Sequence, residues 1–343
     1  RALSVVPVYA AVKLIAETAS TLPLHAYTRT ADGRKRRDVL PSAIGGVSWR
    51  MQGFMSALLR GNAIGVLGSM GNNGWPASCT WVHPDRARVE EPSDGKPAQW
   101  FIDGRRVDAS SILHVPAVVM PGKTLGVSPV QAFALTFDAG REAQAASRDW
   151  SRNRAVPGVV FKNTAKTIDT TQGDALGARL REKLRNGEPF VHGSDWTLDV
   201  MSVPPGDAAF LESIKATATQ VASIFSIPPE MIGGESGGSL TYNTVEQQAI
   251  QFLTYTVRPW LVRFEEALSA QLMPRPQYVQ FSVDGLIRVD TEARYRIHRI
   301  AREIGLRNID ELREIEDLTP LPDGQGQSYA PLATTTPPPK ETP

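Results

Sequence analysis

The stretch from Pro204 to Met273 constrains the fold more than any other, because it encodes two helices separated by a segment that cannot pack a core. After the proline–glycine breaker at 204–206, Asp207 offers an N-cap. Ile227 precedes two prolines, and proline disfavours helical geometry in the residue before it, so the helix ends there. Between these points apolar residues recur every three or four positions and predict one apolar face: Leu211, Ile214, Ala218, Val221 and Phe225. The opposite face is polar and uncharged.

A glycine-rich segment follows and leads into a second, longer helix. Asn243 and Glu246 have the spacing of a capping box, which predicts a helix start. Apolar residues continue at helical spacing to Leu268, and Pro259 inside this pattern predicts a kink or a break. Loops between well-defined helices are often functional, although on spacing alone a disordered surface loop is the simpler interpretation. The segment consists of Gly233, Gly234, Glu235, Ser236, Gly237, Gly238 and Ser239.

Several segments of the chain resemble the bacteriophage portal protein family, in the branch of long-tailed siphophages. The match extends over many segments in the same order, so it is more specific than a short motif. Its C-terminal segments are IFSIPPEMIG at 224–233, LTYNTVEQQ at 240–248, Phe252, RPW at 258–260, EEAL at 265–268 and DGLIRVD at 284–290. The N-terminal segments LPLHAY, RGNAIGVL and SILHVP are similar as well.

This resemblance implies an α+β fold, the portal fold, with a mixed α/β wing, a two-helix stem, a small α/β clip, a long kinked helix and a short helical crown. From Thr319 the composition turns to proline, threonine and glycine, which predicts disorder. The implied parts are the N-terminal wing at 1–127, a stem helix at 128–154, the clip at 155–205, the second stem helix at 206–226, a tunnel loop at 227–241, the long wing helix and return strand at 242–289, the crown at 290–318 and the tail at 319–343.

The function implied by the resemblance is mechanical. Twelve copies would form a ring at one vertex of the capsid, and double-stranded DNA would pass along its axis without sequence specificity during packaging and ejection. Partners would be the terminase motor, head-completion and tail connector proteins and the capsid protein. The ring would be assembled in the host cytoplasm and reside in the virion, with no membrane partner. The glycine-rich segment at 233–239 would face the bore.

Two rival functions stay open at this stage. One is another structural head–tail component, although such proteins lack the order of long helix, loop and long helix. The other is a serine hydrolase that uses Ser236, because residues 234–238 formally match the nucleophile elbow. That elbow needs a strand before it and a tight helix after it, whereas Pro228 and Pro229 precede this one. We therefore do not expect a nucleophile here.

No other catalytic, cofactor or metal site is complete in the sequence, so we predict no enzymatic activity and no cofactor. Residues 121–124 resemble the end of a phosphate-binding loop, but Ala117 occupies the position of the required first glycine. The adjacent acids at 90–91 and at 265–266 point to different faces, so neither pair forms an acid–base dyad. The histidines lie too far apart for metal-ligand spacing: His25, His83, His114, His192 and His298.

Composition narrows the function classes further. The 343 residues carry a formal net charge of +1, which disfavours a DNA-binding regulator but suits a conduit through which DNA slides. Cys79 is the sole cysteine, so no disulfide framework exists and a reducing compartment is expected. No apolar run reaches the roughly 18 residues of a membrane span. The sequence begins at Arg1 without methionine, which indicates a fragment.

The N-terminal half shows a helix at 6–20, then a strand and a hairpin turn at Asp32-Gly33. The basic run at 34–37 follows this turn. It would either touch DNA or acidic lipid or, as the simpler interpretation, form a solvated strand edge that cationic side chains protect from pairing. A helix from Phe54 to Leu59, ended at Gly61-Asn62-Ala63, and short strands near 64–67, 80–82, 99–102 and 112–115 complete this half.

Ser128-Pro129 marks the start of a helix that we expect to run to about Arg154. Arg141, Arg148 and Arg152 lie seven and four residues apart and share one face of it. They either compensate the helix dipole or, if this helix forms part of the stem, contact a neighbouring subunit or DNA.

A smaller module then holds a strand at 159–162, a helix at 169–185 and strands near Phe190 and at 198–203. Between 204 and 273, seven acids and three bases give a charge of −4, so we expect the loop at 227–241 to contact DNA only loosely.

Overall fold

The computed structural model describes residues 2–30, 33–37, 39–71, 75–91, 97–152, 159–163, 169–186, 196–200, 207–234, 242–283, 291–316 and 318–329. The chain mixes helices and strands. It divides into two compact units, one from Arg1 to Phe281 and one from Ser282 to Pro343. The helices are α1 (Val6–Thr21), α2 (Val47–Arg60), α3 (Pro129–Ala132), α4 (Ala134–Arg152), α5 (Thr170–Asn186), α6 (Asp207–Phe225), α7 (Tyr242–Gln251), α8 (Arg258–Leu272), α9 (Thr291–Glu303) and α10 (Ile309–Ile315).

The strands build four small antiparallel sheets among the described residues, in the orders β11-β1-β2, β4-β3-β8, β5-β6-β7 and β10-β9. The strands are β1 (Leu24–Thr30), β2 (Gly33–Arg37), β3 (Asn62–Leu67), β4 (Cys79–Val82), β5 (Ala87–Glu90), β6 (Gln99–Ile102), β7 (Arg105–Val107), β8 (Ile112–Pro116), β9 (Val159–Asn163), β10 (Trp196–Val200) and β11 (Gln277–Phe281). The predicted hairpin is confirmed as β1–β2. The sequence analysis missed β5 and β7, which are too short for a clear alternation.

The main core of the first unit joins helices that are far apart in sequence. α1 packs on α2 and α6, and α8 packs on β11 and β8. The rings of Phe54 and Phe264 meet at 4.0 Å between centroids, and Trp81 packs against the edge of Phe264. Gly53 permits this approach, because a Cβ there would lie 2.7 Å from the Trp81 ring. Long-range aromatic contacts thus hold the helices to the sheets.

Helix α2 begins at Val47, seven residues before the predicted start at Phe54, and ends at Gly61 as predicted. Gly61 has φ of +72°, which a glycine adopts without strain, and its N–H donates to the carbonyl of Ala57. Beyond it, Asn62 is 5 % exposed and its carboxamide holds the connection between β8 and α3. The Asn62 amide donates to the carbonyls of Arg60 and Gly126, and its oxygen accepts from the Gly126 N–H and from His114.

The predicted helix from Ser128 to about Arg154 is interrupted. Ser128 caps α3 by accepting from the N–H of Gln131, as predicted. Phe133, with φ of −114° and ψ of 31°, then separates α3 from α4. Helix α4 packs against α6 at Gly140, where a Cβ would lie 2.7 Å from the methyl carbon of Thr217. Tertiary packing therefore overrides the continuous helical pattern.

The long helix predicted after the loop is distorted near Pro259. A π-helical segment, Phe252–Val257, connects α7 to α8 and ends directly before Arg258-Pro259. A proline has no N–H to donate, and its ring excludes the carbonyl four residues earlier, so the distortion falls on the preceding turn. Helix α7 begins at Tyr242, so Asn243 lies in its first turn and the predicted capping box is misplaced.

Three further elements belong to the predicted small module. β9 and β10 pair antiparallel, and α5 covers the predicted helical range with ends shifted by a residue. β10 begins at Trp196, two residues before the predicted strand, and residues 201–203 lie outside the described residues. The strand predicted near Phe190 lies outside the described residues.

The second unit contains α9 and α10. The capping box at Asn308 and Glu311 is present in both directions, and Gly305 ends the α9 region with φ of +70°. Residues 318–329 pack on α10: Asp310 accepts from the N–H of Leu321, and Tyr329 donates to Glu311. The disordered tail predicted from Thr319 therefore does not begin there, and residues 330–343 lie outside the described part. No described helix is long and apolar enough to cross a membrane.

Candidate channel-loop segment

The loop that follows α6 begins with a tight and well-packed turn. Ser226 adopts a left-handed conformation with φ of +56°, and the N–H of Ile227 donates to the carbonyl of Ala222 at 2.9 Å. This bond closes the C-terminus of α6 as a Schellman-type turn does. Ile227 is only 4 % exposed and Ile232 only 9 %. The first part of the predicted loop therefore belongs to the core, because these side chains anchor it.

Two glycines complete this base. A 3₁₀ turn, Pro229–Ile232, ends at Gly233, whose φ of +84° suits glycine. The N–H of Gly234 donates to the carbonyl of Pro229 at 2.7 Å, and a Cβ on Gly234 would lie 2.8 Å from the Cβ of Pro229. Gly234 thus lies close against the 3₁₀ turn, and residues 235–239 of the predicted segment lie outside the described residues. The loop base extends from Ser226 to Gly234.

The π-helical segment is joined to the loop base by a hydrogen bond. Thr256 is 2 % exposed, and its hydroxyl donates to the carbonyl of Ser226. Phe252, Leu253 and Val257 are buried in the same segment. In a regular α-helix, successive residues advance by 100°, whereas a π-turn changes this phase and re-aims the side chains that follow. The distortion of the long helix therefore places a hydroxyl where the loop base needs a donor.

Helix α6 has an apolar and a polar face, but the predicted apolar face is buried only in part, because Ile214 is exposed and the side chain of Leu211 lies outside the described residues. Ala218, Val221 and Ala222 are buried. The hydroxyls of Thr219 and Ser223 lie on the exposed side and donate to the carbonyls four residues earlier, at 2.9 and 3.1 Å. Such bonds satisfy the hydroxyls within the helix. The same side also carries the exposed residues Glu212 and Lys215, so it is polar but, contrary to the prediction, not uncharged.

The other predicted site residues fall in different places. Gly233 and Gly234 are in the loop base, whereas Glu235, Ser236, Gly237, Gly238 and Ser239 lie outside the described residues. Arg141 is exposed and pairs with Asp138 at 3.1 Å on its own helix. Arg148 is exposed on α4, and the side chain of Arg152 lies outside the described part. The role of these arginines toward DNA or a neighbour stays a prediction.

One of the acids counted toward an acidic loop region serves a structural purpose instead. Glu265 accepts a hydrogen bond from the N–H of Phe281 at 2.8 Å and thereby ties α8 to β11. Partial burial raises the pKa of Glu265 above the usual value for a glutamate. The charge argument for loose DNA contact therefore rests on the remaining acids.

The described residues hold no group of three or more His, Cys, Asp or Glu side chains that could bind a metal. In the segment that resembles a phosphate-binding loop, the N–H and hydroxyl of Thr124 both donate to Glu91. Burial raises the pKa of Cys79 to about 12 and lowers the pKa of His114 to about 4, so both groups stay neutral at physiological pH. These groups serve packing and turn formation.

Sequence reasoning missed two features of the first unit. Asn62 organises a buried network, and the only signal for it was a polar residue directly after a helix-ending glycine. Arg34 lies across the ring of Tyr27 with its guanidinium carbon 4.9 Å from the ring centroid. Alternation along β1 and β2 could have placed both on one face, but only the register with β11 brings in Tyr278.

The comparisons with known proteins agree with this architecture. A family model described as "Phage portal protein" matches residues 7–317. The "Probable portal protein" of Streptomyces phage phiC31 is 28 % identical over 363 residues, which covers 96 % of this chain and 78 % of that protein. The "Portal protein" of Enterobacteria phage HK97 is 25 % identical over 222 residues, or 62 % of this chain and 52 % of that protein. The match thus spans about half of the HK97 protein.

Solved structures show the same fold. The crystal structure of an HK97 family phage portal protein from Corynebacterium diphtheriae has a TM-score of 0.64 at 17 % identity and covers 84 % of this chain and 98 % of that one. A chain from the neck of the native gene transfer agent particle, computed with C12 symmetry, has a TM-score of 0.61 at 23 % identity, with 92 % and 91 % covered.

Proposed function

Because the chain belongs to the phage portal protein family, we propose that it assembles into a ring of twelve copies and that double-stranded DNA passes along the ring axis. The observation that carries this proposal is the family match, which extends over residues 7–317 and so includes both units. The twelvefold symmetry of the neck structure with the same fold supports the number of copies. A head-to-tail contact repeated by rotation closes into a ring.

In this function α4 and α6 act as the two stem helices, β9, β10 and α5 as the clip, and α9 and α10 as the crown. The clip serves the terminase motor and later the head-completion and tail connector proteins, and the wing meets the capsid. The role is structural and non-enzymatic, at the capsid vertex of the virion. The exposed residues Glu212 and Lys215 of α6 balance one another in charge, which supports a stem function because this pair adds no net charge toward DNA or a neighbouring copy.

The loop at 227–241 has two parts in this proposal. Its base is anchored by Ile227, Ile232 and the bond from Thr256, and the glycine-rich remainder reaches toward DNA. A fixed base with a glycine-rich tip lets the tip follow the DNA while α6 keeps its position. Contact with DNA is loose, because six acids besides Glu265 face three bases in the segment from 204 to 273, which leaves an excess of negative charge.

Native mass spectrometry of the intact protein tests the ring. We expect a closed oligomer of twelve chains over a range of salt and protein concentrations. A monomer under all of these conditions would contradict the proposal. The same preparation should hydrolyse neither ATP nor DNA, and an activity that survives repeated purification would assign the chain an enzymatic role.

A deletion tests the loop. Removal of residues 235–239 leaves Gly233, Gly234 and the anchored base in place, so ring assembly should be unchanged. Packaging or retention of DNA in capsids should be impaired. The matched control replaces the same five residues by alternating glycine and serine, which keeps the length and removes the carboxylate of Glu235. Normal packaging and full genome retention by the deleted ring would show that the loop has no role in DNA transport.

A further inference from the structure

The sheet β11-β1-β2 has an exposed face that combines arginines with stacked tyrosines. Residues opposite one another in antiparallel strands point to the same face. The register pairs Tyr27 with both Arg36 and Tyr278, and Arg29 with Arg34. These five residues form what we call the arginine–tyrosine face. The other face carries the buried residues Leu24, Ala26, Val279 and Phe281.

The tyrosine rings hold two of the guanidinium groups in place. The rings of Tyr27 and Tyr278 stack with centroids 5.6 Å apart. Arg34 lies over Tyr27 at 4.9 Å and also donates to the side-chain oxygen of Gln280 at 2.9 Å, and Arg29 lies over Tyr278 at 5.5 Å. A stacked guanidinium is pre-organised, so less side-chain entropy is lost when its remaining N–H groups bind an anion.

The charge of this face is not neutralised within the described residues. Arg29, Arg34 and Arg36 form no ion pair with a described carboxylate. Exposed arginines elsewhere in the same unit behave differently, since Arg86 pairs with Asp103 and Arg88 with Glu90. Between 24 and 38 the sequence has five cations and two carboxylates, a local charge of +3 in a chain whose total is +1. The face is therefore a concentrated positive patch.

We propose that the arginine–tyrosine face binds the phosphate backbone of duplex DNA, as a contact separate from the channel. Arginine matches phosphate geometry with two parallel N–H donors. Both rings are already occupied by each other and by guanidinium groups, which leaves no open aromatic platform for stacking an unpaired base. The proposed contact is with phosphate oxygens, which carry no sequence information, so we expect no sequence preference.

The edge position of β2 fits this ligand. All five residues of β2 are exposed, and its row of cations discourages another strand from pairing with it. A duplex approaching from solvent needs no backbone pairing and meets Arg34, Arg36 and Arg29 together. Lys35 and Arg37 point to the opposite face of the same strand and add long-range attraction. The inference goes beyond the proposed conduit, because it concerns the outer surface of a sheet and not the loop after α6.

Fluorescence anisotropy with a short labelled DNA duplex and the intact protein tests the assignment. The double variant Arg34→Glu/Arg36→Glu is compared with Arg105→Glu/Arg106→Glu, which changes the net charge equally on the exposed strand β7. We expect the first variant to bind at least about tenfold more weakly, and the salt slope of log K to fall by about 2, because two phosphate contacts are lost. The control should change affinity by less than about threefold.

A second pair of variants guards against misfolding. Arg34→Gln/Arg36→Gln removes the charge without reversal, and Arg34→Lys/Arg36→Lys retains it; the first should weaken binding and the second should restore the salt slope. If the β7 control lost as much DNA affinity as the β2 variant, the proposal would be overturned, because net charge alone would then explain binding. Displacement of the duplex by polyglutamate or by phosphatidylserine vesicles at equal charge concentration would also overturn it, in favour of an acidic peptide or a lipid surface. Ring size measured on the same variants separates this result from a failure of assembly.

Discussion

Apolar side chains are buried in one region of the molecule and exposed in another. The first region is the core around α1, α2 and α8, and the second extends from β8 to α4. In the core, Phe54, Leu261 and Phe264 are at most 1 % exposed. In the second region, Val118 is 61 % exposed, Met120 55 % and Leu135 87 %. One chain is enough to complete the first region, whereas the second presents an apolar surface that single chains of soluble proteins rarely keep open. The first region therefore provides stability to the single chain, and we expect the second to be covered by a neighbouring copy.

The largest effect is expected from Phe264→Ala in the core. The substitution removes a ring that contacts Phe54 and Trp81 and leaves a cavity that the two helices cannot close. We expect the free energy of unfolding to fall by about 3–5 kcal/mol. Urea denaturation monitored by tryptophan fluorescence measures this, with Leu135→Ala as the exposed control. A loss below about 1 kcal/mol would mean that the core is not closed as described.

A buried polar network should be almost as sensitive. Asn62→Ala leaves the N–H and carbonyl of Gly126 and the imidazole of His114 without their partner. Unsatisfied buried groups cost about 1–3 kcal/mol each, and partial access of water reduces the sum, so we expect a loss of about 3 kcal/mol. Hydrogen exchange should quicken between β8 and α3. Exchange that quickens instead throughout α1 would assign Asn62 a global role.

The same network predicts a pH dependence. Burial lowers the pKa of His114 from 6.5 to about 4, so the unfolded chain binds a proton more readily than the folded one. The stabilisation is complete above pH about 6.5 and is lost as the pH falls toward 4, with a magnitude of about 2–3 kcal/mol. His114→Gln keeps a donor for Asn62 but does not titrate, so its stability should not change through this group. Equal pH profiles for both proteins would contradict the assignment.

A substitution in the second region is expected to have the smallest effect on stability, although it should weaken assembly of the ring. Leu135→Ser changes an exposed side chain, so the unfolding free energy should shift by less than about 0.5 kcal/mol. If this region is covered by a neighbouring copy, the ring should dissociate at higher protein concentration than the unmodified ring does. Analytical ultracentrifugation measures both species. Unchanged assembly would leave this apolar surface without a partner in the ring.

Local signals in the sequence predicted most element boundaries. Ser128, Gly61 and the Asn308–Glu311 capping box act on groups within four residues, so a short stretch of sequence contains both partners. The resemblance to portal proteins likewise came from contiguous segments, and the family match confirms it. The predicted division into wing, stem, clip and crown stays a prediction.

The candidate loop shows where sequence reasoning ended. Its glycines predicted a segment without a core, and the prolines predicted the end of α6. The burial of Ile227 and Ile232 was missed, because both residues lie in a stretch that has neither helical nor strand periodicity. The hydrogen bond from Thr256 to Ser226 joins residues 30 positions apart, so no local sequence pattern predicts it.

The sequence by itself determined the helix caps at Ser128 and Asn308, the distortion near Pro259 and the basic edge strand, since each depends on neighbours along the chain. Only the tertiary structure decided the break at Phe133 and the stacking of arginines on the tyrosines of two strands. Arg34 and Gln280 are 246 residues apart, and Asn62 and Gly126 are 64 apart. Such partners meet only after the core has formed, because packing brings them within hydrogen-bond distance while local propensity cannot.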